Sequence, residues 1–69
     1  MLVVDSGDQI FWKRDGYNYV GTVVDAPKEC GDSYYVEYQL DPRTKSWTDV
    51  DENEIDLMRM HSYYRHHIQ

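Results

Sequence analysis

A mainly β fold, with five short strands closed into a small barrel and a short C-terminal helix, is what three features of this chain predict. Its 69 residues have room for one small core. Aromatic and β-branched residues recur in short runs of period two. Turn signals separate those runs: Asp15-Gly16, then Pro27 with Gly31-Asp32, then Asp41-Pro42.

Gln9 to Arg14 reads as the first strand, with Ile10 and Trp12 on one face and Phe11 on the other. Asp15-Gly16 then predicts a two-residue hairpin, because glycine accepts the positive φ that such a turn needs. Tyr17 to Asp25 is the second strand. Its alternation puts Tyr17, Tyr19, Gly21, Val23 and Asp25 on one side and Asn18, Val20, Thr22 and Val24 on the other. Gly21 in mid-strand signals a bend, a bulge or a close approach. Ala26 to Ser33 is a loop, Tyr34 to Tyr38 a third strand, Asp41 to Thr44 a turn and Ser46 to Val50 a fourth strand. Asp51 to Glu54 is a polar turn before Ile55-Asp56-Leu57, a short fifth strand expected to bury Ile55 and Leu57. Closing five such strands into a barrel removes sheet edges.

From Met58 the period changes. Met60, Tyr64 and Ile68 stand four apart, with Tyr63 and His67 beside them, which predicts an amphipathic helix over Met58 to Ile68. A helix this short needs a surface to dock on, either the barrel or a second copy of the chain in a homodimer. The expected organisation is therefore a barrel over residues 1–57 and a helical extension over 58–69.

Thirteen Asp and Glu against seven Lys and Arg leave a net charge of -6. Direct binding to nucleic acid is driven by cationic side chains, so this balance disfavours it. With 41% hydrophobic and 14% aromatic residues the chain is nevertheless too apolar for a disordered acidic tail. No apolar run approaches the roughly 18 residues of a membrane span, and the single cysteine, Cys30, has no partner for an internal disulfide. Both point to a soluble protein of the cytoplasm.

The run from Gly7 to Val24, with Trp12, the Asp15-Gly16 turn, Tyr19 and Gly21-Thr22-Val23, resembles the first hairpin of a Tudor-type SH3-like barrel. Tyr35-Val36-Glu37-Tyr38 is similar to its third strand, and Trp47-Thr48-Asp49-Val50 with Glu54-Ile55 to its last two. The resemblance covers residues 7–57. It implies an aromatic cage of Trp12, Tyr19, Tyr38 and Trp47, with Asp41 as an acidic partner, that would hold a methylated lysine or arginine by cation–π attraction. The same rings also suit the bulky core that so small a barrel requires.

A second pattern competes with the cage. Asp49, Asp51, Glu52, Glu54 and Asp56 place five carboxylates in eight residues, without a basic residue among them. Residues two apart on a strand lie about 7 Å apart on one face, and each DNA strand presents a phosphate about every 3.4 Å of helix axis. A row of carboxylates on a rigid barrel can therefore stand in for a nucleic-acid backbone. Taken as a free-standing acidic chain, the protein resembles in size and charge the small host-takeover proteins of bacteriophages, several of which mimic DNA. That resemblance implies a basic DNA-binding partner, such as a nucleoid-associated protein of the HU type, met in the host cytoplasm or nucleoid.

Enzyme chemistry is not expected. His61, His66 and His67 do not share one helical face, so no metal site is expected. Cys30 stands beside Glu29 and near Asp32, whose charges oppose a reactive thiolate. There is no phosphate-cradling glycine loop or nucleophile elbow, and no cofactor is expected. The sequence thus leaves two binding functions: a DNA mimic acting through the acidic row, or a Tudor-like reader acting through the cage.

Overall fold

A computed structural model describes residues 4–29 and 31–67, so Cys30 and Ile68 lie outside the described residues. Four antiparallel strands form one meander in the order β1-β2-β3-β4: β1 (Gln9–Arg14), β2 (Tyr17–Asp25), β3 (Tyr34–Asp41) and β4 (Thr44–Val50). A 3-10 turn (Glu52–Glu54) and a C-terminal helix, α1 (Leu57–His67), follow. The sheet is not closed.

The β1–β2 hairpin forms as the sequence predicts. Arg14 pairs with Tyr17 across Asp15 and Gly16, whose φ values of 53° and 80° are those of a turn that matches the twist of its strands. Gly21 makes a close approach: a Cβ there would stand 2.5 Å from the Glu37 carbonyl oxygen on β3. The β3–β4 hairpin turns where expected, since Asp41 pairs with Thr44 and only Pro42 and Arg43 lie between, and its strands run up to that turn, past the expected limits at Tyr38 and Ser46. Asp41 holds that turn by accepting the Arg43 N–H at 2.9 Å.

One face of the sheet carries the core. Ile10, Trp12, Val23, Tyr34, Val36 and Val50 are buried there together with Val4 and with Met60 from α1. A bulge corrects the expected side of Asp25. Val23 pairs with Val36 but Asp25 pairs with Tyr35, so two residues of β2 oppose one of β3. The extra residue turns Asp25 away from the core side on which simple alternation puts it.

The expected fifth strand is replaced by other structure. Ile55 makes a single bridge to Trp12, and Leu57, which is exposed, opens the helix instead of filling the core. The reason is local. Asp56 accepts the Arg59 N–H on its Oδ1 at 3.2 Å and so caps α1, which ends any extended run before it reaches a second residue pair.

These segments occupy the free edge of β1. Phe11 O accepts from Asp56 N at 2.9 Å, Phe11 N donates to the Met60 sulfur at 3.2 Å, and Gln9 O accepts from the Tyr64 hydroxyl at 2.7 Å. Edge groups that would otherwise template aggregation are thereby satisfied. Phe11 itself packs against Tyr63 at 5.3 Å, with the Arg59 guanidinium 5.1 Å from its ring centre. Among the described residues no helix is long and apolar enough to cross a membrane.

Candidate functional site

The five carboxylates of the expected acidic row divide into two groups. Glu54 accepts two hydrogen bonds from Arg14 at 2.8 Å, and its Oε1 also accepts the Asp51 N–H at 3.0 Å. The same guanidinium donates to Thr48 Oγ1 at 3.0 Å and to Asp49 O at 2.7 Å, so Arg14 ties β1 to β4 and to the 3-10 turn. Asp56 pairs with Arg59 at 2.9 Å and lies 3.9 Å from Lys13. The hydrogen bond from Arg14 holds the Glu54 carboxyl below its usual range, and the side-chain and backbone donors of Arg59 do the same for Asp56. Both charges are spent inside the fold.

Asp49, Asp51 and Glu52 remain exposed, and the structure adds carboxylates to them from elsewhere in the chain. Asp25, Tyr35 and Asp49 stand side by side on β2, β3 and β4. With neighbouring strands just under 5 Å apart, the Asp25 and Asp49 backbones are about 10 Å from each other. Asp25, Asp32 and Asp49 line one shallow depression together with Lys28. Ser33 donates to Asp51 Oδ1 at 2.6 Å and fastens the β2–β3 loop to the 3-10 turn. Among the described residues, no Lys or Arg lies within ion-pair distance of Asp25, Asp32, Asp49, Asp51 or Glu52. Burial first, and then the charges of Glu52 and Asp5, push the Tyr34 phenol above its ordinary value.

Asp25 and Asp32 are the residues that reading along the chain underweights. Both stand at least seventeen positions before Asp49; strand pairing brings Asp25 to it, and the loop before β3 places Asp32 in the same depression. The signal available in the sequence is the hairpin arithmetic itself, since the end of β2 and the end of β4 must flank the start of β3.

The aromatic residues also divide. Trp12 and Tyr19 are stacked with their centres 5.4 Å apart and planes at 12°, and Tyr38 meets both edge-on at 5.7 and 5.8 Å. Three of the four cage positions thus come together in one ring cluster, in which Trp12 is only 1% exposed. Trp47 pairs with Glu37 while Tyr38 pairs with Ser46, so alternation puts Trp47 on the opposite face of the sheet. Asp41 is engaged in its hairpin turn.

The chain matches no protein-family model, no curated protein and no solved structure. Among the described residues no group of three or more His, Cys, Asp or Glu is arranged to hold a metal ion.

Proposed function

We propose that this chain is a non-catalytic acidic binding protein, and that its carboxylate pole occupies the DNA-binding surface of a basic partner in the cytoplasm. One observation carries the reading. Asp25, Asp32, Asp49, Asp51 and Glu52 converge at one end of the sheet without ion-pair partners among the described residues. Carboxylates this close repel one another, because their separations are comparable to the Debye length of about 8 Å at physiological salt. A cationic partner relieves that repulsion, and opposite fields steer and speed the encounter.

The partner class that fits is a protein with a basic saddle or arms shaped for phosphate rows, as in nucleoid-associated proteins of the HU type. Two features support an SH3-like barrel opened at one seam as the scaffold. The Trp12–Ile55 bridge sits at the β1 edge, and Arg14 reaches from β1 to Thr48 and Asp49 on β4. A homodimer through α1 would join the exposed Leu57 and Met58 of two copies and double the anionic array.

The test is an affinity capture from a nuclease-treated bacterial lysate at about 50 mM and about 500 mM salt, using the parent and an Asp49→Asn/Asp51→Asn/Glu52→Gln variant. A basic DNA-binding protein retained by the parent at low salt, released at high salt and missed by the variant is the expected result. Equal retention by the variant overturns the proposal.

A further inference from the structure

The sheet surface opposite the core is bare over β3 and β4. Trp47 is 50% exposed and Tyr35 43%, and among the described residues neither ring touches another ring or takes part in a hydrogen bond. Their positions are set by the ladder. Tyr35 is paired with Asp49 and Trp47 with Glu37, so the two aromatics are diagonal neighbours on one face. Diagonal neighbours in an antiparallel pair stand about 7–8 Å apart, close enough for one flat group to reach both rings.

The charges around the two rings specify what they attract. Asp25 and Asp49 flank Tyr35 on the two neighbouring strands. Glu37 lies beside Trp47, with its charge directed to Lys45 at 3.3 Å. Exposed π faces bordered by uncompensated carboxylates attract a cation and repel an anion. Between the two protein cations, guanidinium is the better fit. It is planar, weakly hydrated and able to stack on an aromatic face while its N–H groups reach a carboxylate, whereas ammonium is compact and strongly hydrated.

We propose that the Tyr35–Trp47 face is an arginine-binding surface, on whose exposed rings guanidinium groups of the basic partner stack beside Asp25 and Asp49. The inference rests on the acidic-partner reading and names the chemistry by which that partner is held. It is separate from the Trp12, Tyr19 and Tyr38 cluster, which lies on the other side of the sheet.

The experiment compares octa-arginine and octa-lysine peptides of equal charge, titrated against the parent, Trp47→Leu and Tyr35→Leu at low salt. Leucine keeps apolar cover and removes the π face, and circular dichroism checks that each variant is folded. The parent is expected to bind octa-arginine about fivefold more tightly than octa-lysine, and each variant to lose most of that preference while keeping the weaker binding common to both peptides. If variants at both positions unfold, the parent's Trp47 indole N–H resonance decides: it must shift on adding octa-arginine and stay in place with octa-lysine. Equal binding of the two peptides by the parent, or a preference that survives both substitutions, overturns the arginine surface. In that case retention of a basic protein from the lysate leaves the acidic-partner reading standing, whereas failure to bind either peptide and any basic protein overturns both.

Discussion

Gly21→Ala is the substitution whose cost follows most directly from the geometry. The added Cβ would lie 2.5 Å from the Glu37 carbonyl oxygen and 3.1 Å from Tyr38 Cβ. The first neighbour is backbone, held in the ladder between β2 and β4, so it cannot swing aside as a side-chain tip would. The two strands must part by several tenths of an ångström, which strains their hydrogen bonds and loosens the packing of Val23 against Val36. Overpacking of this kind costs about 1–3 kcal/mol. A domain of this length has a total stability of roughly 3–10 kcal/mol, so the loss is a large fraction of it. At about 4–8 °C per kcal/mol, a loss of about 2 kcal/mol lowers the melting temperature by roughly 8–16 °C. Thermal unfolding followed by far-ultraviolet circular dichroism reads the effect. Thr22→Ala, on the opposite face of the same strand, is the control and is expected to cost less than about 1 kcal/mol. A Gly21→Ala variant that melts within about 2 °C of the parent would show that β2 and β3 are not pressed together at this point.

Glu54→Gln removes the carboxylate that Arg14 holds through two 2.8 Å hydrogen bonds and is expected to cost about 1–2 kcal/mol in urea denaturation; no change in midpoint would mean that the pair does not anchor the turn. Acid should act on the same site. Glu54 and Asp56 have folded-state values below the ordinary 4.5 and 3.8, so the stability they contribute is present above those values and is lost as the pH falls through the lower folded ones. Urea midpoints measured from about pH 6 to about pH 2 should therefore fall, and fall less steeply in Glu54→Gln; parallel curves for parent and variant contradict this. Tyr64→Phe deletes the hydroxyl that donates to Gln9 O at 2.7 Å and is expected to lose about 1 kcal/mol, whereas an unchanged midpoint would show that α1 holds the β1 edge without it. Acrylamide quenching separates the two tryptophans: Trp47 should be quenched readily, and the emission left in Trp47→Leu, from Trp12, should be blue-shifted and resistant. Free access of acrylamide to Trp12 would contradict the sealed ring cluster.

Much of the fold is legible along the chain because the local signals agree with one another. Asp15-Gly16 specifies its turn, Ile10 and Trp12 reach the core by alternation, Gly21 marks a bend, a bulge or a close approach, of which the structure shows the last, and the shift to a four-residue period marks α1. What is not legible depends on competition between local and distant demands. Ile55-Asp56-Leu57 alternates like a strand, yet Asp56 is more effective as a helix cap and as a partner for Arg59. The side of Asp25 hinges on one bulged residue, which has no composition signal of its own.

The site divides in the same way. A count of carboxylates along residues 49–56 treats all five alike, but Glu54 and Asp56 are neutralised by Arg14 and Arg59, which are distant or off the row. Asp25 joins the pole through strand pairing, and Asp32 through the loop that leads into β3. Tyr35 illustrates the converse. Of two adjacent tyrosines in a strand only one can face the core, and because Tyr34 is buried, Tyr35 is left on the surface beside Asp49.

The central claim is that this pole competes with DNA for a basic protein surface. It is tested most directly by fluorescence anisotropy of a labelled duplex bound to an HU-type protein, titrated with the parent chain and with Asp49→Asn/Asp51→Asn/Glu52→Gln across a series of salt concentrations. The account predicts that the parent releases the duplex at low salt, that more protein is needed as salt rises, and that the neutralised variant is at least about tenfold weaker. A duplex that stays bound at every parent concentration, or is released equally well by the variant, would contradict it.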